Sequence, residues 1–275
     1  VSRELKRRNK QFGKNIHGNL FEPESLQEMT IAAVDLDAML EDTVEQIEEK
    51  RKAWETAHED TARRQEEFRA NLFVGAFFTP KTPENIDCVP ITEDLNRINK
   101  GMESRRCLEK AVAGLAEKHR FFHWHIEFSE VFEKGGFDVV LGNPPWERIK
   151  IQEKEFFASR SPEIANAPNA AKRRELIDAL NRSEASLAEK MLAREFEDAK
   201  HESEGASQFV RASKRFPLTG VGDVNTYGLF AELFLDLQAK TGMAGIILPT
   251  GILSDDTSKV FFQELINSER LIFNE

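Results

Sequence analysis

The chain has 275 residues, a net charge of −10 and two cysteines, with 31% of its residues charged. That length allows one large domain or two small ones with a sizeable core. The acidic balance excludes a surface that grips nucleic acid everywhere and leaves room only for a local basic cleft. Cys88 and Cys107 lack metal-binding spacing and read as free thiols in a reducing cytoplasm. No apolar run reaches membrane-spanning length and no signal-peptide pattern is present, so a cytoplasmic, membrane-free protein is expected. The start Val1-Ser2-Arg3, without an initiator Met, reads as part of a longer protein.

Residues 1–14 are basic (Arg3, Lys6, Arg7, Arg8, Lys10, Lys14), a pattern more typical of a solvated helix face than of a phosphate grip. Gly18, Asn19 and Pro23 then break the chain. From Glu24 to Ala70 there is neither Gly nor Pro. Ile31, Val34, Leu36, Met39 and Leu40 form an apolar stripe at roughly helical spacing, continued thinly by Val44, Ile47, Trp54 and Ala57. Residues 1–120 therefore read as a mostly helical segment, a hairpin or coiled-coil-like arm capable of self-association. Phe73, Phe77 and Phe78 form its greasy end. A proline-rich loop covers 79–92, and Met102–Lys118 predicts an amphipathic helix with Leu108, Val112 and Leu115 on one face.

Phe121 to Phe132 is dense in aromatics. His123 and His125 alternate with Phe122, Trp124 and Ile126, which predicts a half-buried strand with imidazoles on one face. A His-x-His metal site lacks a clear third ligand, so no metal is expected. Phe137 to Leu141, bounded by glycines, reads as a buried parallel strand. Asn143-Pro144-Pro145-Trp146 follows it as a rigid loop, because two prolines fix two φ angles and remove two N–H donors. The loop's carbonyls are expected to be free for a ligand at the strand's carboxyl end.

Beyond the loop, about 150–215 reads as a helical insert, a lid or substrate-side subdomain. Arg148, Lys150, Lys172, Arg173, Arg211, Lys214 and Arg215 are its candidate phosphate contacts. A glycine-punctuated loop, Leu218–Val224, leads into an amphipathic helix whose N-cap is Asn225 or Thr226. Gly245-Ile246-Ile247-Leu248-Pro249 predicts a second buried strand. Asp255-Asp256-Thr257 caps a helix through Leu265, and Leu271-Ile272-Phe273 starts a third strand.

The loop residues point to a chemistry. The Asn143 carboxamide and the Pro144 carbonyl can both accept hydrogen bonds from one exocyclic amine, and Trp146 offers a face for a planar base. Asn-Pro-Pro-aromatic after a strand resembles the catalytic motif of S-adenosyl-L-methionine (AdoMet)-dependent amino-methyltransferases, above all the N6-adenine DNA methyltransferases. With Phe122–Phe132 before it, and Asn225–Phe230 and Gly245–Gly251 after it, the chain resembles the Eco57I-like branch of restriction-modification and phage-defence enzymes. That likeness covers about 120–275.

The resemblance implies an α/β fold: a partial Rossmann-like methyltransferase sheet over 121–275, preceded by the long helical segment. It implies a catalytic role for Asn143, Pro144, Pro145 and Trp146, and cofactor-side roles for Asp138, Glu127, Asn225 and Tyr227. It further implies double-stranded DNA as the partner of the full-length protein, with Arg148, Lys150, Arg211 and Lys214 as contacts. The family's glycine-rich AdoMet loop is not found, since Gly220-Val221-Gly222 has no strand before it. It is expected upstream of Val1, which would leave this piece inactive alone. Two other readings stay open: methylation of protein glutamine or RNA amines, and a non-catalytic helical assembly scaffold.

Overall fold

A computed structural model describes residues 3–5, 7–8, 36, 38–58 and 61–272. The expected break at Gly18–Pro23 and the start of the apolar stripe at Ile31 and Val34 lie outside these residues. The fold is mixed α/β, mostly helical, with a two-stranded sheet. It divides into two compact units, one of Val1–Val140 with Leu237–Ala244 and one of Leu141–Asp236 with Gly245–Glu275.

In the first unit, helices α1 (Val44–His58) and α2 (Thr61–Phe78) occupy the charged, Gly/Pro-poor stretch. On α1 the apolar Val44, Ile47 and Trp54 are exposed. Helix α2 buries Ala70 and Leu72 and, unusually, Arg63, Glu66 and Arg69. Arg69 pairs with Glu66, while Arg63 reaches the Ile126 carbonyl at 2.9 Å and the Glu127 carboxylate at 2.8 Å. A short helix α3 (Thr92–Ile98) and the amphipathic α4 (Arg106–His119) complete this packing. Leu108 and Val112 of α4 are fully buried against Leu72. Asp94 is tied both to the Ile91 N–H at 2.9 Å and to Arg105 at 2.6 Å.

The aromatic stretch is not the strand its alternation predicts. It forms two short helices, α5 (Trp124–Glu127) and α6 (Ser129–Glu133). The reason is a second periodicity in the same residues. Trp124, Phe128 and Phe132 recur every four positions, close to one helical turn, with Phe128 at the non-helical junction between the two helices. All three meet Phe137 edge-on, with ring centroids at 6.0, 5.3 and 5.9 Å. His123 is taken up by Asn71 at 2.7 Å. Among the described residues no group of three or more His, Cys, Asp or Glu could hold a metal.

Strand β1 (Phe137–Gly142) lies where the apolar run predicts it, but it is not buried: Val139 and Leu141 are 59% and 75% exposed. Among the described residues only β2 (Gln238–Ile246) pairs with it, so its faces are not sandwiched. The pairing is parallel, with Gly242 against Phe137 and Ile247 bonded to the Gly142 carbonyl at 3.1 Å. The second strand thus begins earlier than expected and ends at Ile246. Leu271 and Ile272 carry no regular structure, and Phe273 lies outside the described residues.

In the second unit the predicted insert is helical: α7 (Glu153–Ala158), α8 (Pro162–Ala165), α9 (Ala170–Ala179) and α10 (Leu187–Ala212). Ser186 and Glu189 form a capping box that starts α10. Phe157, Ile164, Ile177 and Phe196 make this region's core. Helix α11 (Thr226–Leu237) is buried along most of its length, and its Tyr227 and Ala231 pack with Ile252 and Phe261. A short helix α12 (Gly251–Ser254) precedes a 3-10 turn at Asp256–Ser258, so the expected cap at Asp255–Thr257 forms this turn, and helix α13 (Lys259–Asn267) follows. No helix among the described residues is long and apolar enough to cross a membrane.

Leu108 tests the first unit's core. Leu108→Ala should destabilise by about 2–5 kcal/mol, the range for emptying a packed site. Leu187→Ala, at a position 77% exposed, should change stability by less than about 0.5 kcal/mol. Urea midpoints at constant slope would check both.

Candidate functional site

Strand β1 hands the chain directly to the proline loop. Its last residue, Gly142, has no room for a side chain, because a Cβ there would lie 2.8 Å from the Phe234 ring of α11. A buried aromatic helix thus sets how closely the loop's entry approaches it. Asn143, Pro145 and Trp146 then stand exposed, Trp146 at 54%, while Pro144 is buried. The buried ring anchors the loop between exposed neighbours. Among the described residues neither the Asn143 carboxamide nor the Pro144 carbonyl has a hydrogen-bond partner.

The expectation that all the loop's carbonyls stay free is corrected at Pro145. Its oxygen accepts the Thr226 hydroxyl proton at 2.6 Å. The same hydroxyl accepts the Glu147 N–H at 2.9 Å, and the Thr226 N–H donates to the Glu147 carbonyl at 2.8 Å. An antiparallel bridge between Arg148 and Asn225 and a bond from the Ile149 N–H to Val224 at 3.2 Å extend the seam. The reason is local. Two prolines leave the loop short of donors, so a donor from another element must hold its carbonyl. The first residue of α11 supplies it.

Thr226 is the residue holding this loop that sequence reading missed. It was legible only as a helix-start threonine, and its hydroxyl serves the loop instead of capping its own helix. A second such residue is Glu232, 2% exposed, whose carboxylate accepts the Leu218 and Thr219 N–H groups and the Thr219 hydroxyl at 3.0, 2.8 and 2.5 Å. It braces the glycine-punctuated loop ahead of α11.

The other candidates separate. Asn225 and Tyr227 flank Thr226 and line a small cavity with Asp223, Gly228, Thr257 and Ser258. Arg148 and Arg211 are drawn to one turn: Arg148 pairs with Asp223 at 3.4 Å, and Arg211 donates to the Gly222 carbonyl at 2.7 Å. Lys150 and Lys214 are exposed. Arg173 is buried, with its Nε donating to the Ile164 carbonyl, so it is an internal brace of the insert and not a surface cation. Asp138 and Glu127 belong to the first unit, Asp138 exposed on β1 and Glu127 paired with Arg63.

The cavity beside Asn225 and Tyr227 holds about 10 Å³, room for about one water.

Burial, reinforced by the Asp255 carboxylate that accepts its proton at 3.1 Å, pushes the Tyr227 phenol above the ordinary tyrosine value. Tyr227 is the one tyrosine of the chain, so phenolate absorbance reads it alone. Its midpoint should lie above about 10, and Asp255→Asn should lower it. A raised folded value means this contribution to stability is complete below about pH 10 and is lost as the pH climbs through the folded midpoint. Tyr227→Phe should flatten that loss. A midpoint at or below the ordinary value would overturn the geometry.

The family profile of Eco57I restriction-modification methylases matches residues 25–176, more than half of the chain. A putative type II restriction enzyme and methyltransferase of Methanocaldococcus jannaschii is 35% identical over 71 residues, which cover 25% of this chain and 6% of that protein. The chain thus matches only a small part of that relative's length. No solved structure matches it. The proline loop lies inside the matched residues, and on that match the chain belongs to the Eco57I restriction-modification methylase family.

Proposed function

We propose that this chain carries the amine-binding part of a DNA methyltransferase that methylates the N6 amine of adenine, as one component of a restriction-modification or defence system. The observation that carries this reading is the pairing of an unpartnered, exposed Asn143 carboxamide with a half-exposed Trp146 on one loop at a strand's carboxyl end. A carboxamide oxygen and a prolyl carbonyl accept both hydrogens of a primary amine. The nitrogen lone pair is then drawn out of conjugation with the ring and aligned toward an electrophilic methyl group. Trp146 supplies a stacking face for the ring that bears the amine.

An adenine amine is not reachable inside the duplex, so the target base is flipped into the site. Arg148, Lys150, Arg211 and Lys214 are proposed to meet the flanking phosphates. Asp223 partly neutralises Arg148, in keeping with the overall acidity of the chain. Methyltransferases of this family generally use AdoMet, and we propose it as the methyl donor. The fold supports a Rossmann-like assignment through its parallel pair β1–β2 and the loop at the carboxyl end of β1. A cytoplasmic location and self-association through α1 are proposed with it.

The test is methyl transfer from labelled AdoMet to unmethylated DNA by the full-length protein. Label should appear on adenine N6, and Asn143→Ala should reduce the rate by at least about 10²–10³-fold, the scale for losing one positioned polar group. Label on protein or RNA, or full activity in the Asn143→Ala protein, would overturn the reading.

A further inference from the structure

We propose that Thr226 is a positioning residue for Trp146, holding the backbone that presents the indole for stacking on the ring that bears the acceptor amine. The inference rests on the functional reading above and deepens it by one residue. Its basis is geometric. The Pro145 carbonyl belongs to the peptide group before Trp146, and the Glu147 N–H belongs to the peptide group after it. Both are bonded to the one Thr226 hydroxyl, at 2.6 and 2.9 Å. A hydroxyl has one proton, and it goes to Pro145; the Glu147 carbonyl, 3.2 Å from the same oxygen, receives the Thr226 N–H at 2.8 Å instead.

This arrangement fixes the backbone on both sides of Trp146 while leaving its side chain uncommitted. The indole is 54% exposed, and no ring of the described residues packs against it. A half-exposed aromatic on a loop short of donors would otherwise sample many orientations, and stacking would carry the cost of ordering it. The clamp removes part of that cost before the substrate arrives. Thr226 is also the first residue of α11. The following turns of that helix carry Tyr227, Ala231 and Phe234, all buried, so the hydroxyl is presented from a rigid element.

The clamp acts on orientation and not on affinity for the DNA backbone. Thr226→Val, which keeps the shape and removes the hydroxyl, should lower kcat by about 10–100-fold, the scale of one or two lost hydrogen bonds. The KM for DNA should stay within about threefold, because phosphate contacts set it. Thr226→Ser should restore kcat to within about threefold of the wild type. The Glu147 amide should be protected from hydrogen exchange in the wild type and the serine variant and lose that protection in the valine variant. Thr226→Ala carries the same comparison should valine prevent folding.

Wild-type kcat in Thr226→Val, or serine as impaired as valine, would overturn the clamp alone, provided that the wild type methylates DNA and Asn143→Ala does not. A wild-type protein that methylates no DNA amine would overturn the functional reading and this inference with it.

Discussion

Two consecutive prolines impose the constraint on which the site depends. Pro144 and Pro145 have carbonyls but no N–H groups, so this stretch of chain can only accept hydrogen bonds. It cannot extend the ladder of β1 with N–H groups of its own, nor continue as the interior of a helix that would hold it from within. Its position must come from a donor on another element and from burial of a ring. Both are present: the Thr226 hydroxyl takes the Pro145 carbonyl, and Pro144 is buried. What remains outward is the pair that the proposed chemistry uses, a carboxamide and an indole.

Helix α11, buried along most of its length, supplies that support. It serves the site three times over. Phe234 limits the space at Gly142, Thr226 holds the loop's exit, and Glu232 gathers the N–H groups of the segment that leads into the helix. A buried carboxylate accepting several hydrogen bonds is a rigid brace, since each bond is costly to leave unmade in a dry interior. The geometry of the exposed loop is therefore decided by an element that is itself almost inaccessible.

The first unit solves a different problem, the entry into β1. Phe137 is held by three edge-on aromatic contacts, each contributing roughly 0.5–1.5 kcal/mol beyond simple area burial. Arg63, bonded to the Ile126 carbonyl and to Glu127, fixes the short helix that presents Trp124. Glu127 is thereby paired with Arg63 at 2.8 Å. The chain belongs to the restriction-modification methylase family, and the proline loop lies within the matched residues.

Local chemistry alone determined a good deal. Glycine-bounded β-branched residues marked β1, the paired prolines marked the loop, and helical spacing marked α4, with its buried Leu108 and Val112. These are properties of a few adjacent residues, and local rules capture them. Tertiary structure decided the rest. The Phe121–Phe132 stretch carries two periodicities at once, and contact with Phe137 selected the four-residue one, making helices of a predicted strand. The exposure of Val139 and Leu141 depends on how many strands flank β1, which its own residues do not encode. Arg173 reads as a surface cation and is buried, because its neighbours across the insert enclose it. Thr226 lies 81 residues from Pro145. No local pattern links a helix-start hydroxyl to a distant prolyl carbonyl, and only the folded chain brings donor and acceptor together.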